Sequence, residues 1–259
     1  MTNPHSHFAS TQWTLVWRAA TEETADARPA LEELIQRYWS PLYSFARRQG
    51  WNREDAEDAT QEFLSGVVHG DMLQAADPAK GKFRTYLLVA WKRFLIDQYR
   101  RRRSQRRGGD VQLLSIDFQT SERKWLEVQS HDSDADRVYE LCWAKSLLDE
   151  VRNRLQDVYS RRGRTQLFAV LLPRLTEALT AADYQKLADD LSISPSAVKV
   201  ALHRLRQRFG QSLREVVLET LDDPSEIDAE LAELRSVLAG ESPRFSGWGE
   251  GRGATSAGR

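Results

Sequence analysis

Asp183–Phe209 reads DYQKLADDLSISPSAVKVALHRLRQRF, and its punctuation decides the fold class. Tyr184, Leu187, Ala188 and Leu191 recur at steps of three and four, the apolar stripe of one helix. Ser192-Ile193-Ser194 interrupts that stripe as a tight turn. Ser194 suits the N-cap of a second helix, and Pro195 suits its first position, where a missing N–H costs nothing. In the second helix Val198, Leu202, Leu205 and Phe209 face inward, leaving Ser196, Lys199, His203 and Arg204 on the opposite side. Ala188 is small where the two helices must approach closely. The pattern predicts a helix-turn-helix, the layout that lets a second helix enter the DNA major groove. From Lys199 to Arg214 there are five basic residues and no acid, a balance suited to phosphate contact. An ordinary helical hairpin with a basic face shares the period, but not the cap, turn and small residue together.

Working upstream, Leu31, Leu34, Ile35, Tyr38, Trp39, Leu42 and Phe45 mark one face of a long helix, with Pro41 predicting a kink or break inside it. Gly50 suits a stop. Asn52 suits a cap for the next helix, with Glu54 and Asp55 at its positive end and Ala56, Ala59, Phe63 and Val67 on one face up to about Gly70. A third helix starts near Lys82 and runs into an arginine block, with Phe83, Leu87, Ala90 and Phe94 as its expected buried stripe. After Gly108-Gly109 the pattern lapses into polar, turn-rich sequence, and VQLLSIDF within it has no assignable place. Helical period resumes near Val138. Asp223-Pro224 opens a short acidic helix ending near Leu238, and the rest has the Gly/Ser composition of a flexible tail. No strand alternation occurs. The expected fold is all-α: two small helical domains joined by a flexible linker, the second a helix-turn-helix. The expected bounds are 8–107 and 137–220, with a linker at 108–136 and a C-terminal helix and disordered tail at 221–259.

Composition sets the class. Apolar residues make up 41% of the 259 residues, enough for packed cores, and no apolar run approaches the roughly 20 residues of a membrane span. The N-terminal MTNPHSHFAS lacks a secretory layout, and Cys142 is the single cysteine, so a cytoplasmic location and no internal disulfide are expected. Cys142 lies on an apolar stripe and reads as core. Net charge is only −1, but it is segregated. Lys82 to Arg107 holds ten basic residues against Asp97 alone, whereas Glu22 to Asp77 holds twelve acids against five arginines. Opposite charge in separate blocks points to separate partners. No phosphate-cradling glycine loop, zinc-ligand spacing or nucleophile–base pair can be drawn, so neither catalysis nor a cofactor or metal is expected.

The arginine block sits at the end of KFRTYLLVAWKRFLIDQ, where Phe83, Tyr86 and Trp91 interleave with Lys82, Arg84, Lys92 and Arg93. Alone, four consecutive arginines (Arg100, Arg101, Arg102, Arg103) say only that something anionic is near. Beside aromatics they suit single-stranded nucleic acid, whose bases stack while charge holds the backbone.

Three segments, YWSPLYSFARR, DAEDATQEFL and GKFRTYLLVAWKRFLIDQYRRRR, resemble the promoter-melting domain of bacterial sigma factors of the extracytoplasmic-function (ECF) type. The helix-turn-helix resembles the same family's second domain. The resemblance implies that the chain directs core RNA polymerase to specific promoters, reading an upstream element as duplex and opening a downstream one, with an anti-sigma factor or other regulator as a further candidate partner. It implies polymerase contact through Asp55, Asp58, Gln61 and Glu62. It implies unpaired-strand contact through Phe83, Tyr86, Trp91, Lys92, Arg93 and Arg100 to Arg103, and upstream readout through Ser194, Ser196, Ala197, Lys199, Val200, His203 and Arg204. This sequence departs from the family's pattern in three places. Arg93 stands where many relatives carry Asn, Val200-Ala201 replaces a common Ser-Arg, and Ser192 replaces the turn glycine, a strain if its φ is positive. Two rivals remain: a stand-alone helix-turn-helix regulator that does not bind polymerase, and a metal-dependent nucleic-acid enzyme built on the acidic helix.

Overall fold

The structure is a computed structural model and describes Val16, residues 27–69, Met72, residues 81–104, 122, 123, 125 and 126, residues 134–221 and residues 223–240. The described residues hold eight α-helices and no strand: α1 (Ala27–Arg48), α2 (Arg53–His69), α3 (Phe83–Ser104), α4 (Ala135–Arg161), α5 (Thr165–Leu171), α6 (Ala181–Leu191), α7 (Pro195–Leu218) and α8 (Ile227–Ala239). They divide into two compact units. One comprises the described residues up to Ser146 together with those from Glu219 onward, and the other is Leu147–Leu218.

In the first unit α1, α2 and α3 pack around Tyr38, Trp39, Leu42, Phe63 and Trp91, all at most 2% exposed. Pro41 does not break α1, which continues to Arg48. Pro41 is buried between the buried Ser40 and Leu42, so packing of this face offsets the missing hydrogen bond. The stop at Gly50 is a Schellman turn. Gly50 has φ +89°, Trp51 N–H donates to the Ala46 carbonyl at 3.2 Å, and Gly50 N–H donates to that of Arg47 at 3.1 Å. Asn52 caps α2 as expected, its Oδ1 accepting from Asp55 N–H at 2.8 Å while its amide donates to the Asp55 carboxylate at 2.9 Å. The buried stripe of α3 is rotated from the expected one. Phe83 and Leu87 are in it, but Leu88, Trp91, Leu95 and Gln98 complete it, and Ala90 and Phe94 lie at its margin.

The largest departure concerns the segments expected to be linker and tail. Glu122 accepts hydrogen bonds from the Tyr43 hydroxyl and from Arg47 at 2.6 Å, and the Arg47 guanidinium lies over the buried Trp125 ring at 5.7 Å. Burial and the Glu122 contact push the Tyr43 hydroxyl up to about 12. This part of 108–136 is therefore packed, while VQLLSIDF lies outside the described residues. The helix expected at 221–259 is α8, ended by Gly240 at φ +89°, and it buries Ile227, Leu234 and Val237. Residues 241–259, read as tail, lie outside the described residues.

Alongside that apolar face, a buried charge cluster ties α8 to the rest of the unit. Arg84, side chain 5% exposed, pairs with Glu230, with Glu233 at 3.1 Å and with Glu140 of α4 at 3.2 Å, and lies over the Trp143 ring at 4.2 Å. Lys82 reaches the same two α8 acids at 2.5 and 2.6 Å. Burial works against the Arg84 charge, but the three carboxylates outweigh it and raise its pKa above the usual range. Burial raises Glu140 against the pull of Arg84, whereas for Glu233 the cations outweigh burial and lower it. A purely sequential division at 137 and 220 differs from this, because the start of α4 and α8 carry the acids that pair with Lys82 and Arg84.

Candidate nucleic-acid and polymerase interfaces

In the second unit Thr180 caps α6 in a capping box with Asp183. The Thr180 hydroxyl accepts from Asp183 N–H, and the Asp183 carboxylate accepts from Thr180 N–H at 2.8 Å. The Thr180 hydroxyl also donates to that carboxylate at 2.7 Å, and this bond together with the one from Thr180 N–H holds the Asp183 carboxyl below its usual pKa. The helix ends in a second Schellman turn, Ile193 N–H to the Ala188 carbonyl at 3.0 Å and Ser192 N–H to that of Asp189 at 3.3 Å. Ser192 occupies the left-handed position at φ 53°, ψ 43°, the described non-glycine residue at positive φ. Ala188, 2% exposed, lies beneath the turn, and Val198, Leu202 and Leu205 fill the interior below α7.

Ser194 is occupied as the cap of α7: its Oγ accepts from Ala197 N–H at 3.2 Å and lies 3.0 Å from the Ser196 hydroxyl. Ser196, Ala197, Lys199, Val200, His203 and Arg204 are all exposed. Lys199 lies over the Tyr184 ring at 5.1 Å. The five basic residues of Lys199–Arg214 do not all belong to this face. Arg206 donates to the carbonyls of Arg174, Leu175 and Glu177 at 2.7–3.2 Å, tying α7 to the loop before α6.

In the first unit the four acidic-helix candidates separate. Asp55 is engaged in the Asn52 cap and Gln61 is only 6% exposed, so neither offers a free side-chain face. Asp58 is exposed and Glu62 is 45% exposed at its side chain, with Arg101 at 3.9 Å. Among the described residues no three His, Cys, Asp or Glu side chains gather as a metal site.

On α3 the aromatic candidates are corrected. Phe83 is 3% exposed, edge-on to Tyr38 at 5.6 Å. Trp91 is fully buried; its indole N–H donates to the Leu42 carbonyl at 3.1 Å and its ring packs on Phe63 and Phe94. Neither presents a ring to a base. Tyr86 is half-buried with its hydroxyl on the Met72 carbonyl at 2.9 Å, and burial raises its pKa. Lys92 pairs with Asp136 at 2.6 Å and lies over the Phe45 ring at 5.8 Å. Arg93, Arg100 and Arg101 are exposed, and the backbone places Arg102 and Arg103 in the last turn of α3.

The family model for ECF sigma factors matches residues 23–215, well over half of the chain. The chain belongs to the ECF sigma factor family. No curated protein and no solved structure matches it. As an ECF sigma factor it directs RNA polymerase to promoters, and its family consists of non-enzymatic initiation factors that bind core polymerase and promoter DNA, often alongside anti-sigma factors. No helix of its described residues is long and apolar enough to cross a membrane. The sigma factor's α8 lies beyond the matched residues.

Sequence reasoning missed two exposed side chains of this sigma factor's α3. Ile96 is 52% and Tyr99 65% exposed, and with Trp51, Leu95 and Arg100 they line a cleft of about 670 Å³. Their signal was available: both fall off the stripe that Trp91, Leu95 and Gln98 define, in the middle of a basic helix.

Proposed function

We propose that this ECF sigma factor docks on core polymerase through Asp58 and Glu62, opens the downstream promoter element along α3, and reads the upstream element with α7. The observation that carries the reading is the grouping of like charge over exposed side chains. Carboxylates of α2 face solvent one helical turn apart (Asp58 and Glu62), while Arg93 and Arg100 are exposed on α3 with an exposed aromatic, Tyr99, between them in sequence, and the two groups meet where Arg101 comes within 3.9 Å of Glu62. In this proposal Tyr99 takes the stacking role expected of Trp91, because it has a ring face to give and Trp91 has none. The arginines at the end of α3 hold the phosphates, and Tyr86 and Lys92 support the strand from their tied positions. Among the described residues no ligand set supports the enzyme alternative, and the stand-alone regulator leaves the carboxylates of α2 without a purpose.

Asp58→Arg tests the reading. Association of the purified chain with bacterial core polymerase, followed by run-off transcription on a promoter library, is the measurement. Loss of core association with duplex binding intact is the expected result. Unchanged association of both Asp58→Arg and Glu62→Arg would overturn the docking assignment.

A further inference from the structure

The recognition face of α7 carries an apolar stretch where a hydrogen-bonding reader belongs. Val200 is 48% exposed and Ile193, from the turn before the helix, is 39% exposed. Both line a concavity of about 760 Å³ in the second unit, whose walls also include Ser196 and Ala197 and whose cations are Arg164, Arg204 and Arg208. Ser196, Val200, Arg204 and Arg208 succeed one another at every fourth residue, so one ridge of α7 passes from hydroxyl to isopropyl to two guanidiniums. Ala197 and Ala201 form the adjoining ridge and add no donor or acceptor.

In the major groove every base pair presents donors and acceptors, and the distinctive apolar group there is the C5 methyl of thymine. A cationic flank fits the phosphates beside a groove, and an uncharged, branched side chain next to that flank has nothing to hydrogen-bond. We infer that Val200, with Ile193 beside it, reads a thymine methyl in the upstream promoter element, so that an A·T pair in one orientation is selected there by apolar contact. This inference rests on the proposed role of α7 and deepens it. Lys199, His203 and Arg204 supply the polar and phosphate contacts on either side, and Val200 fixes the identity of the base between them.

Deoxyuridine in place of thymine deletes only the methyl. Selection of a randomised upstream element by core polymerase loaded with the full chain gives the preferred motif, and each thymine is then replaced singly. At one or two positions the replacement weakens promoter binding by about fourfold, one methyl's worth of apolar burial. With Val200→Ala that sensitivity disappears at one of them, while Lys199→Ala lowers affinity and leaves it in place. Val200 is exposed, so the alanine variant does not disturb the core. A selected motif with no methyl-sensitive thymine, or one in which every methyl sensitivity persists in Val200→Ala, overturns the inference. Failure to select any upstream motif instead overturns the role of α7 itself.

Discussion

Arg84→Met removes the guanidinium shared by Glu140, Glu230 and Glu233 and leaves a side chain of similar length in a site where the arginine is 5% exposed. Lys82 still reaches Glu230 at 2.5 Å and Glu233 at 2.6 Å, so the stranded group is Glu140, 3% exposed and left with only the weaker, through-space pull of Lys82. Removing one partner of a buried ion pair costs about 3–5 kcal/mol. Contact with the Trp143 face at 4.2 Å adds about 1–2 kcal/mol to what is lost. Glu140 already leans toward the neutral form through burial, so it can take up a proton and limit the damage. The expected loss is therefore about 3–5 kcal/mol in all. Urea unfolding followed by tryptophan fluorescence isolates the relevant unit, because none of the eight tryptophans falls within residues 147–218. Arg84→Lys should lose less, since it keeps the charge, but it loses the planar fork that meets carboxylates in three directions. Arg84→Met with Glu140→Leu should recover much of the loss, since apolar side chains of similar size often replace a buried pair without penalty. A loss below about 1 kcal/mol for Arg84→Met, with the slope against urea unchanged, would show that the cage is not what holds α8.

Tyr99→Ala should slow promoter opening and weaken single-strand affinity by about 1–3 kcal/mol, measured by fluorescence of a base analogue in the downstream element; an equal loss on closed duplex would place Tyr99 outside strand capture. Ser192, exposed and left-handed at φ 53°, should tolerate glycine with unchanged or slightly raised stability, whereas Ser192→Val should cost about 1–2 kcal/mol by thermal melting of the second unit. The Asp183 carboxyl is held below its usual value of 3.8 by Thr180, first through its hydroxyl and then through its backbone N–H. A depressed folded pKa gives stability that is present above 3.8 and lost as pH falls through the folded value. Far-UV dichroism should therefore record cap loss in α6 only below about pH 4, and Asp183→Asn should flatten that limb. A carboxyl titration at or above 3.8 by NMR would remove the cap from the account.

The sequence by itself determined every element whose signal is local. Asn52, Gly50, Ser194 and Pro195 announce helix ends because capping is decided by atoms within a few residues. The helix–turn–helix order of α6 and α7 and the positive φ at Ser192 were readable because turn and stripe are short-range features, while the Thr180–Asp183 capping box was not read and Phe209 is only half-buried. The paired motifs were specific enough to place the chain in its family. Tertiary structure alone decided which residues of an amphipathic helix are spent inside. Trp91 read as a strand-binding aromatic because periodicity gives a stripe but fixes its angle only to within about one residue, whereas Phe83 lay on the expected stripe and owed its strand role to the resemblance. In the fold Leu42 offers a carbonyl to the Trp91 indole and closes the question. Arg84 and Lys82 counted as free cations in a linear charge balance and are instead neutralised by acids nearly 150 residues away (Glu230 and Glu233). Pairing over that distance leaves no periodic trace, because charge acts through space while a sequence records only order along the chain.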